Sequence, residues 1–556
     1  MKLRAFCLWL AAAGALAPAR ATEYGHVTIA STTDLHGRIW PVDYLTDFPY
    51  EGGLAKISTV VRDLRHDDPA LLLIDSGDTI EGNPLAYFHA RRNNAPPDPM
   101  MLVMNRLRYD SMTLGNHDFN YGLAVQGKAR READFPWISA NIYDTATGKP
   151  AYAPYLVKVV RGIRIGVLGL TTPGVPYWET KENYRGLEFR DPLAEAGKWV
   201  RILREREHVD AVVVAMHMGL ERDLATGKGT IGNVPHENEA IAIAQQVPGI
   251  DLILMGHTHR DVPGVVINGV LLTQAGRWGD HVVKADLYFS REGSGPWRLD
   301  AKETRSLRLQ GVEPDSAVEA LTKSYHEETE RWLSEAVGTC SKTIDARAIF
   351  SDSAMLDLIQ RVQLETGQAD VSVASIFSPR ARIAAGPVTV RELAGLYVYD
   401  NTLVVIRATG AQLKAALEHS AEFILPYEPG KSLNQLVNPN FTLYNFDQAA
   451  GVSYELDIRR PIGDRILNLT YRGHPLRPEE TFRLALNNYR FSGGGAYAMY
   501  QGDPVLYRSS IQLRDLLIDW VEKHHSIPTE PVGNWRIVGA GDAARAEAPH
   551  SEVGGY

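Results

Sequence analysis

Residues 26–37 read HVTIASTTDLHG: a short apolar, β-branched run that gives way at once to Asp34-Leu35-His36. The same pattern recurs along the first 300 residues. Apolar runs at 71–74 (LLLI), 165–169 (IGVLG), 211–215 (AVVVA) and 251–255 (DLILM) alternate with stretches of helical periodicity. Runs of this near-continuous kind suit strands buried on both faces, in a parallel or mixed sheet covered by helices. Polar, metal-capable residues follow most of them, where open α/β sheets keep their sites. Five motifs result: Asp34-Leu35-His36, Gly77-Asp78, Gly115-Asn116-His117-Asp118, His217 within Met216-His217-Met218-Gly219, and Gly256-His257-Thr258-His259.

One Asp or His after a strand is an ordinary turn or cap residue. Five such motifs at five strand ends point instead to a dinuclear metal site. Imidazole and carboxylate donors together suit borderline ions of the Mn, Zn, Co or Fe class and not calcium. Two divalent cations against the carboxylates of Asp34 and Asp78 leave such a site net positive, which attracts phosphate. The chain as a whole is acidic, with 58 Lys plus Arg against 67 Asp plus Glu and a net charge of −9. It lacks the basic excess that a nucleic-acid polymer would require.

Outside this region the sequence reads as an exported protein with a second domain. Lys2 and Arg4 precede an apolar stretch from Ala5 to Leu16, and Ala19-Arg20-Ala21 follows, the pattern of a signal peptide spanning 1–21. Cys7 would leave with it, and Cys340 alone offers neither a disulfide nor a cysteine metal site. No later stretch reaches the ~18 apolar residues that span a bilayer, so a soluble periplasmic or secreted protein with no membrane attachment after cleavage is expected. Between Pro314 and Ala336, Val318, Leu321, Tyr325, Trp332 and Ala336 recur at helical spacing, predicting one long exposed helix that connects the domains. Beyond it, helices are expected over 353–366 and 410–423, and strands over 402–409, 451–458, 466–471 and 481–486. The division expected is 22–312, a connecting helix 313–337, a smaller α/β domain 338–538, and a disordered tail 539–556 rich in Ala, Gly and Glu.

The five motifs resemble the calcineurin-like metallophosphoesterase superfamily. With the second domain they resemble secreted 5′-nucleotidases and 2′,3′-cyclic-nucleotide 2′-phosphodiesterase/3′-nucleotidases. The resemblance runs from Gly25 to about Val538. It implies an α/β fold, a four-layer metallophosphoesterase β-sandwich flanked by helices and joined by a long helix to a smaller α/β nucleotide-binding domain. Carried over motif by motif, it implies two divalent metal ions, the first held by Asp34, His36, Asp78 and His259. The second would be held by Asp78, Asn116, His217 and His257, with Asp78 bridging. His117 matches the family's catalytic histidine. Tyr399-Asp400-Asn401-Thr402 and Asn487-Asn488-Tyr489-Arg490, followed by Gly493-Gly494-Gly495, resemble the family's nucleobase-binding segments, in which two aromatic rings sandwich the base. The matching rings are Tyr399 and Tyr489, although read locally both fit the core of a strand as well. Arg382 and Arg380 are candidates for pairing with phosphate or ribose. The partner implied is a small nucleotide, and the default assembly is a monomer.

Two departures separate the branches. 5′-Nucleotidases carry an aspartate three residues after the motif histidine, where this chain has Asn120. An amide orients the imidazole without stabilising imidazolium as a carboxylate would, so His117 is expected to act neutral, as a hydrogen-bond donor. 5′-Nucleotidases also end the glycine loop in Gly-Gly-Asp-Gly, whose aspartate binds the ribose diol. Here the loop is Gly493-Gly494-Gly495-Ala496. Both departures, with Tyr444-Asn445-Phe446-Asp447 and Gly451-Val452-Ser453-Tyr454, resemble the cyclic phosphodiesterase/3′-nucleotidase branch. A 5′-nucleotidase or UDP-sugar hydrolase is the alternative.

Overall fold

The computed structural model describes residues 22–539 apart from 225, 226, 228, 230–233, 347, 348 and 400. The expected signal peptide, Asp400 and all of the expected tail except Gly539 lie outside the described residues. Two six-stranded sheets build the N-terminal half. The first runs in the order Arg298–Arg308, His281–Glu292, Thr22–Thr32, Leu72–Asp75, Ser111–Thr113, Trp137–Ile138. The second runs Asp261–Ile267, Val270–Ala275, Leu252–Met255, Ala211–His217, Ile163–Thr171, Tyr155–Val160. The inner strands are parallel: Thr22–Thr32 pairs in parallel with Leu72–Asp75, and Ala211–His217 with both of its neighbours.

Strand periodicity explains how the sheets stack. Along Ala211–His217, Ala211, Val213 and Ala215 point between the sheets and meet Ile29, Ile74 and Leu254. The alternate Val212, Val214 and Met216 point outward, against Val200 and Leu203 of the helix Pro192–Glu205 and Ile243 of the helix Ala240–Gln246. Leu73, on the outer face of the first sheet, packs in the same way with Leu54, Ile57 and Met104 from the helices Leu54–Asp67 and Pro99–Leu107. The result is four layers: helix, sheet, sheet, helix. Each buried Val, Leu or Ile contributes about 1.5–3 kcal/mol, so both faces of these uninterrupted apolar runs stabilise the stack.

The helix expected from Pro314 to Ala336 spans Ser316–Leu333. Asp315 caps it by accepting from the Ala317 amide, which puts Pro314 outside the first turn. Ala336 opens the strand Ala336–Cys340, drawn out of the helix by pairing with Gly386–Thr389. The helix is also less exposed than its four glutamates suggest. Val318, Thr322, Thr329, Trp332 and Leu333 are buried, and Trp332 stacks on Tyr87 at 5.5 Å. Among the described residues no helix is long and apolar enough to cross a membrane.

The C-terminal half centres on a five-stranded sheet in the order Gln448–Ala450, Val371–Ala374, Thr481–Asn487, Thr402–Thr409, Val505–Gln512. Helices Ala354–Gly367, Gly410–Ser420 and Leu513–His524 pack on it. The predicted strands at 402–409 and 466–471 fall on the observed limits, and the helix predicted over 410–423 ends as a 3-10 turn at Ala421–Phe423. Cys340 is a buried free thiol whose Sγ donates to the Lys342 carbonyl.

Candidate active site

All five motifs arrive at one end of the two sheets, because the parallel strands that deliver them end there. His217 is the last residue of its strand, and the others follow Thr32, Asp75, Thr113 and Met255 within a few residues. The backbone there is forced: Asp34, His36, Asp78, His257 and His259 all hold φ between 48° and 73°. Left-handed backbone at a non-glycine residue costs on the order of 1–3 kcal/mol and clusters at functional sites. Gly115 shows how tightly the loops approach, since a Cβ there would sit 2.1 Å from Asp78 Oδ1.

Asp34, His36 and His259 each offer a ligand atom within 4.8 Å of the others, and Asp78, His217 and His257 do the same. Asp78 Oδ2 lies 2.9 Å from His217 Nε2 and 3.9 Å from His36 Nε2, so this carboxylate reaches both groups. Asn116, the seventh expected ligand, is buried, and its Oδ1 has no hydrogen-bond partner. His217 Nε2 likewise faces Asp78 without hydrogen-bond geometry. Asn116 Oδ1, a buried acceptor left without a partner near two carboxylates, fits a bound cation.

Hydrogen bonds fix the tautomers. His217 Nδ1 must donate to the Ser76 carbonyl at 2.8 Å, which leaves Nε2 as the ligand atom. His257 Nε2 meets the Glu237 carboxylate at 3.0 Å, which leaves Nδ1 for a metal. The electrostatics agree. Burial pulls the His217 pKa down, but Asp78 outweighs it and holds the imidazole at about 9. Burial similarly opposes ionisation of Asp78, yet His217, His117 and His36 keep it well below the usual carboxylate range. The site therefore favours positive charge between its carboxylates.

Beyond the ligands, Asp118 of the third motif and Glu81, which carried no sequence signal of its own, shape the site. Asp118 accepts from the amides of Asp78, Thr79, Ile80 and Gly115, tying two ligand loops together, and burial raises it to about 6. Fully buried Glu81 stands 3.6 Å from His36 Nδ1 and 3.3 Å from His117 Nδ1. His117 Nδ1 also meets Asn120 Oδ1 at 2.7 Å. That contact constrains what a neutral ring can do. With Nδ1–H turned to Asn120, a neutral ring presents a lone pair at Nε2, and Nε2 donates only as imidazolium. Glu81 supplies the facing carboxylate that Asn120 does not.

In the second domain Tyr399 and Tyr489 are each 37% exposed, Tyr399 in a loop and Tyr489 in the short helix Asn488–Phe491, so neither is a strand-core residue. Tyr444 joins them, its ring 6.1 Å from that of Tyr399. Buried Arg490 holds the glycine loop: Nε and one terminal nitrogen bind the Asp447 carboxylate at 2.8 Å each, and the other donates to the Gly494 carbonyl at 2.7 Å. A Cβ on Gly494 would lie 2.4 Å from the Tyr489 ring, so this loop supports that ring only as glycine. Gly493 precedes it with φ 90°. Arg382 is exposed on the two-residue strand Arg382–Ile383, paired with Ile344–Asp345, and no described contact joins it to either tyrosine.

The Calcineurin-like phosphoesterase family model matches residues 27–261, and the model for the 5′-nucleotidase C-terminal domain matches 336–502. The 2′,3′-cyclic-nucleotide 2′-phosphodiesterase/3′-nucleotidase of Yersinia enterocolitica is 30% identical across 92% of this chain and 87% of its own. The chain belongs to this metallophosphoesterase nucleotidase family. It is an enzyme of the hydrolase class. The trifunctional nucleotide phosphoesterase YfkN of Bacillus subtilis is 27% identical, and there the chain spans 39% of the relative's length. A candidate 5′-nucleotidase of Staphylococcus aureus, solved with α-ketoglutarate, superposes with a TM-score of 0.76 at 26% identity, over 92% of this chain and all of that one.

Proposed function

We propose that this family member opens 2′,3′-cyclic nucleotides to 3′-nucleotides and then hydrolyses these to nucleoside and phosphate. The observation that carries the proposal is the loop Gly493-Gly494-Gly495-Ala496 beneath Tyr489. It holds no carboxylate for a ribose 2′,3′-diol, and a nucleotide phosphorylated on O2′ or O3′ has no such diol to offer. Asp447, packed behind the loop, is engaged by Arg490.

Asp34, His36, Asp78, Asn116, His217, His257 and His259 would hold two divalent ions. When bound, these supply Lewis-acid polarisation of the phosphate and a nucleophile at neutral pH. The protein's own part is to place charge and protons. Asp34 and Asp78 set the site's affinity for cations, and Glu237 and the Ser76 carbonyl aim two imidazoles. His117, its side chain one-third exposed, would as imidazolium give a proton from Nε2 to the leaving ester oxygen. Tyr399 and Tyr489 stack on the base, an interaction indifferent to base identity.

We divide the chain at 22–312, 313–337 and 338–538, with export directed by residues 1–21. The first domain would bind phosphate and the second the base, so presenting the 3′-nucleotide for its second hydrolysis would need a rotation between them. Chromatography of a 2′,3′-cyclic AMP reaction with added Mn²⁺ tests the sequence of events. 3′-AMP should rise and then decay to adenosine, and chelation should stop both phases. Accumulation of 2′-AMP, or no turnover by metal-loaded enzyme, contradicts the proposal.

A further inference from the structure

The catalytic histidine of the 5′-nucleotidase branch has an aspartate beside it, and this chain has Asn120. The structure shows what stands behind that amide. Asn120 Nδ2 donates to Glu179 Oε1 at 2.5 Å, while Oδ1 faces His117 Nδ1 at 2.7 Å. Glu179 Oε2 accepts from Asn183 Nδ2 at 2.6 Å, and Asn183 Nδ2 also meets the Asn120 carbonyl at 3.1 Å. Arg91 donates to the same carbonyl. Asn120 and Glu179 are both buried, and Glu179 follows directly on the short helix Val175–Trp178.

An amide can present either its oxygen or its nitrogen to a neighbour, and the two choices demand opposite tautomers of His117. Flipping Asn120 would turn its oxygen toward the Glu179 carboxyl; burial raises that group's pKa, the Asn183 hydrogen bond and the charges of His117, Arg91 and Arg508 oppose the rise, and in its ionised form it has no proton to give. Buried polar contacts of this kind are costly when mismatched. Glu179 in that form therefore leaves one orientation: Oδ1 toward His117 and Nδ1 protonated. Polarisation along the chain also passes part of the carboxylate's influence to the imidazole.

We propose that Glu179 is a positioning residue for His117, acting through Asn120, so that the order histidine–amide–carboxylate replaces the histidine–carboxylate pair of the 5′-nucleotidase branch. The inference rests on the reading of His117 as proton donor to the leaving oxygen. Glu81 also faces Nδ1, but it touches His36 as well, so its replacement would disturb a metal ligand. Glu179 offers the cleaner test.

The experiment compares Glu179→Gln, Asn120→Asp and the double variant in the metal-loaded enzyme. It measures kcat and KM on the best nucleotide substrate and on p-nitrophenyl phosphate, whose leaving group needs little help from a proton, with bound metal and Tm recorded for each. Glu179→Gln should lower nucleotide kcat by ~10-fold, within the range of other orienting contacts, and leave KM and metal content unchanged. The loss on p-nitrophenyl phosphate should be under ~3-fold, because proton donation contributes little there. Asn120→Asp alone sets two carboxylates together and should fall at least as far. The double variant, histidine–carboxylate–amide, should recover to within ~3-fold of the native enzyme, a non-additivity that only a coupled pair produces. Glu179→Asp, which keeps the charge but not the reach, carries the same expected loss if the glutamine is not tolerated. Native kcat in Glu179→Gln, equal losses on both esters, or a double variant as poor as the product of the singles would overturn the proposal. His117→Ala separates the two levels. If it spares nucleotide turnover, the role of His117 fails; if it abolishes turnover while Glu179→Gln is silent, only the positioning role fails.

Discussion

At the scale of single residues, the chemistry is set by contacts too short to tolerate an extra atom. Gly494, in the loop beneath Tyr489, is one such case, with three atoms of the Tyr489 ring within 2.5 Å of where a Cβ would stand. Gly494→Ala should displace that ring. Stacking is worth about 1–3 kcal/mol per base, so KM for nucleotides should rise ~10-fold or more while kcat changes little. Turnover of p-nitrophenyl phosphate, which has no base, should be spared. A fall in kcat with KM unchanged would instead tie the loop to the chemistry. The motif residues were legible in the sequence because each sits at a strand end with a chemically distinctive side chain. Glu81, Glu179 and Glu237 were not, since a lone glutamate in a loop carries no local mark of burial. Only the folded chain brings Glu179, 59 residues from Asn120, against its amide.

At the scale of elements, strands were read more surely than helix ends. A run such as Ala211–His217 is apolar on both faces, and only a strand between two covered faces satisfies it. The long helix was misjudged at both ends for physical reasons: Asp315 took the capping role, and sheet pairing won Ala336. Its packing also buries His89 of the helix Pro84–Arg91, whose ring lies edge-on to Tyr325 with no hydrogen-bond partner for either nitrogen. Burial and the nearby Lys128 charge lower His89 to about 4. Its folded pKa lies below the unfolded value near 6.5, so the neutral ring's contribution is present in full above pH ~6.5 and is lost as pH falls toward 4. The amount is on the order of 3 kcal/mol. Asp98, which burial raises to about 6 and whose Oδ2 lies 3.9 Å from His89 Nε2, tilts stability the other way. His89→Phe should therefore lose less Tm than the native protein between pH 7 and pH 4.5. Parallel Tm curves for the two would show that His89 is not the acid-sensitive group.

At the scale of the whole molecule, the long helix sets two domains side by side. Contacts between the halves are specific. Trp332 stacks on Tyr87, Tyr87 hydrogen-bonds Asp515 of the second domain, and Arg391 of the second domain reaches both Glu330 and the Tyr44 carbonyl. The two-domain plan was legible in the change of composition after the long helix. The packing of that helix was not, because Thr322 and Thr329 are polar in sequence yet fully buried in place. Under the proposed function, what selects among nucleotides would likewise be a property of the assembled molecule, with phosphate bound in one half and base in the other. The most direct test is kcat/KM for 3′-AMP against 5′-AMP under identical Mn²⁺ loading. A clear preference for 3′-AMP, accompanied by turnover of 2′,3′-cyclic AMP, is the result expected from a glycine loop without a carboxylate. A preference for 5′-AMP would contradict that account of Asn120 and Gly495 and assign the chain to the 5′-nucleotidase branch.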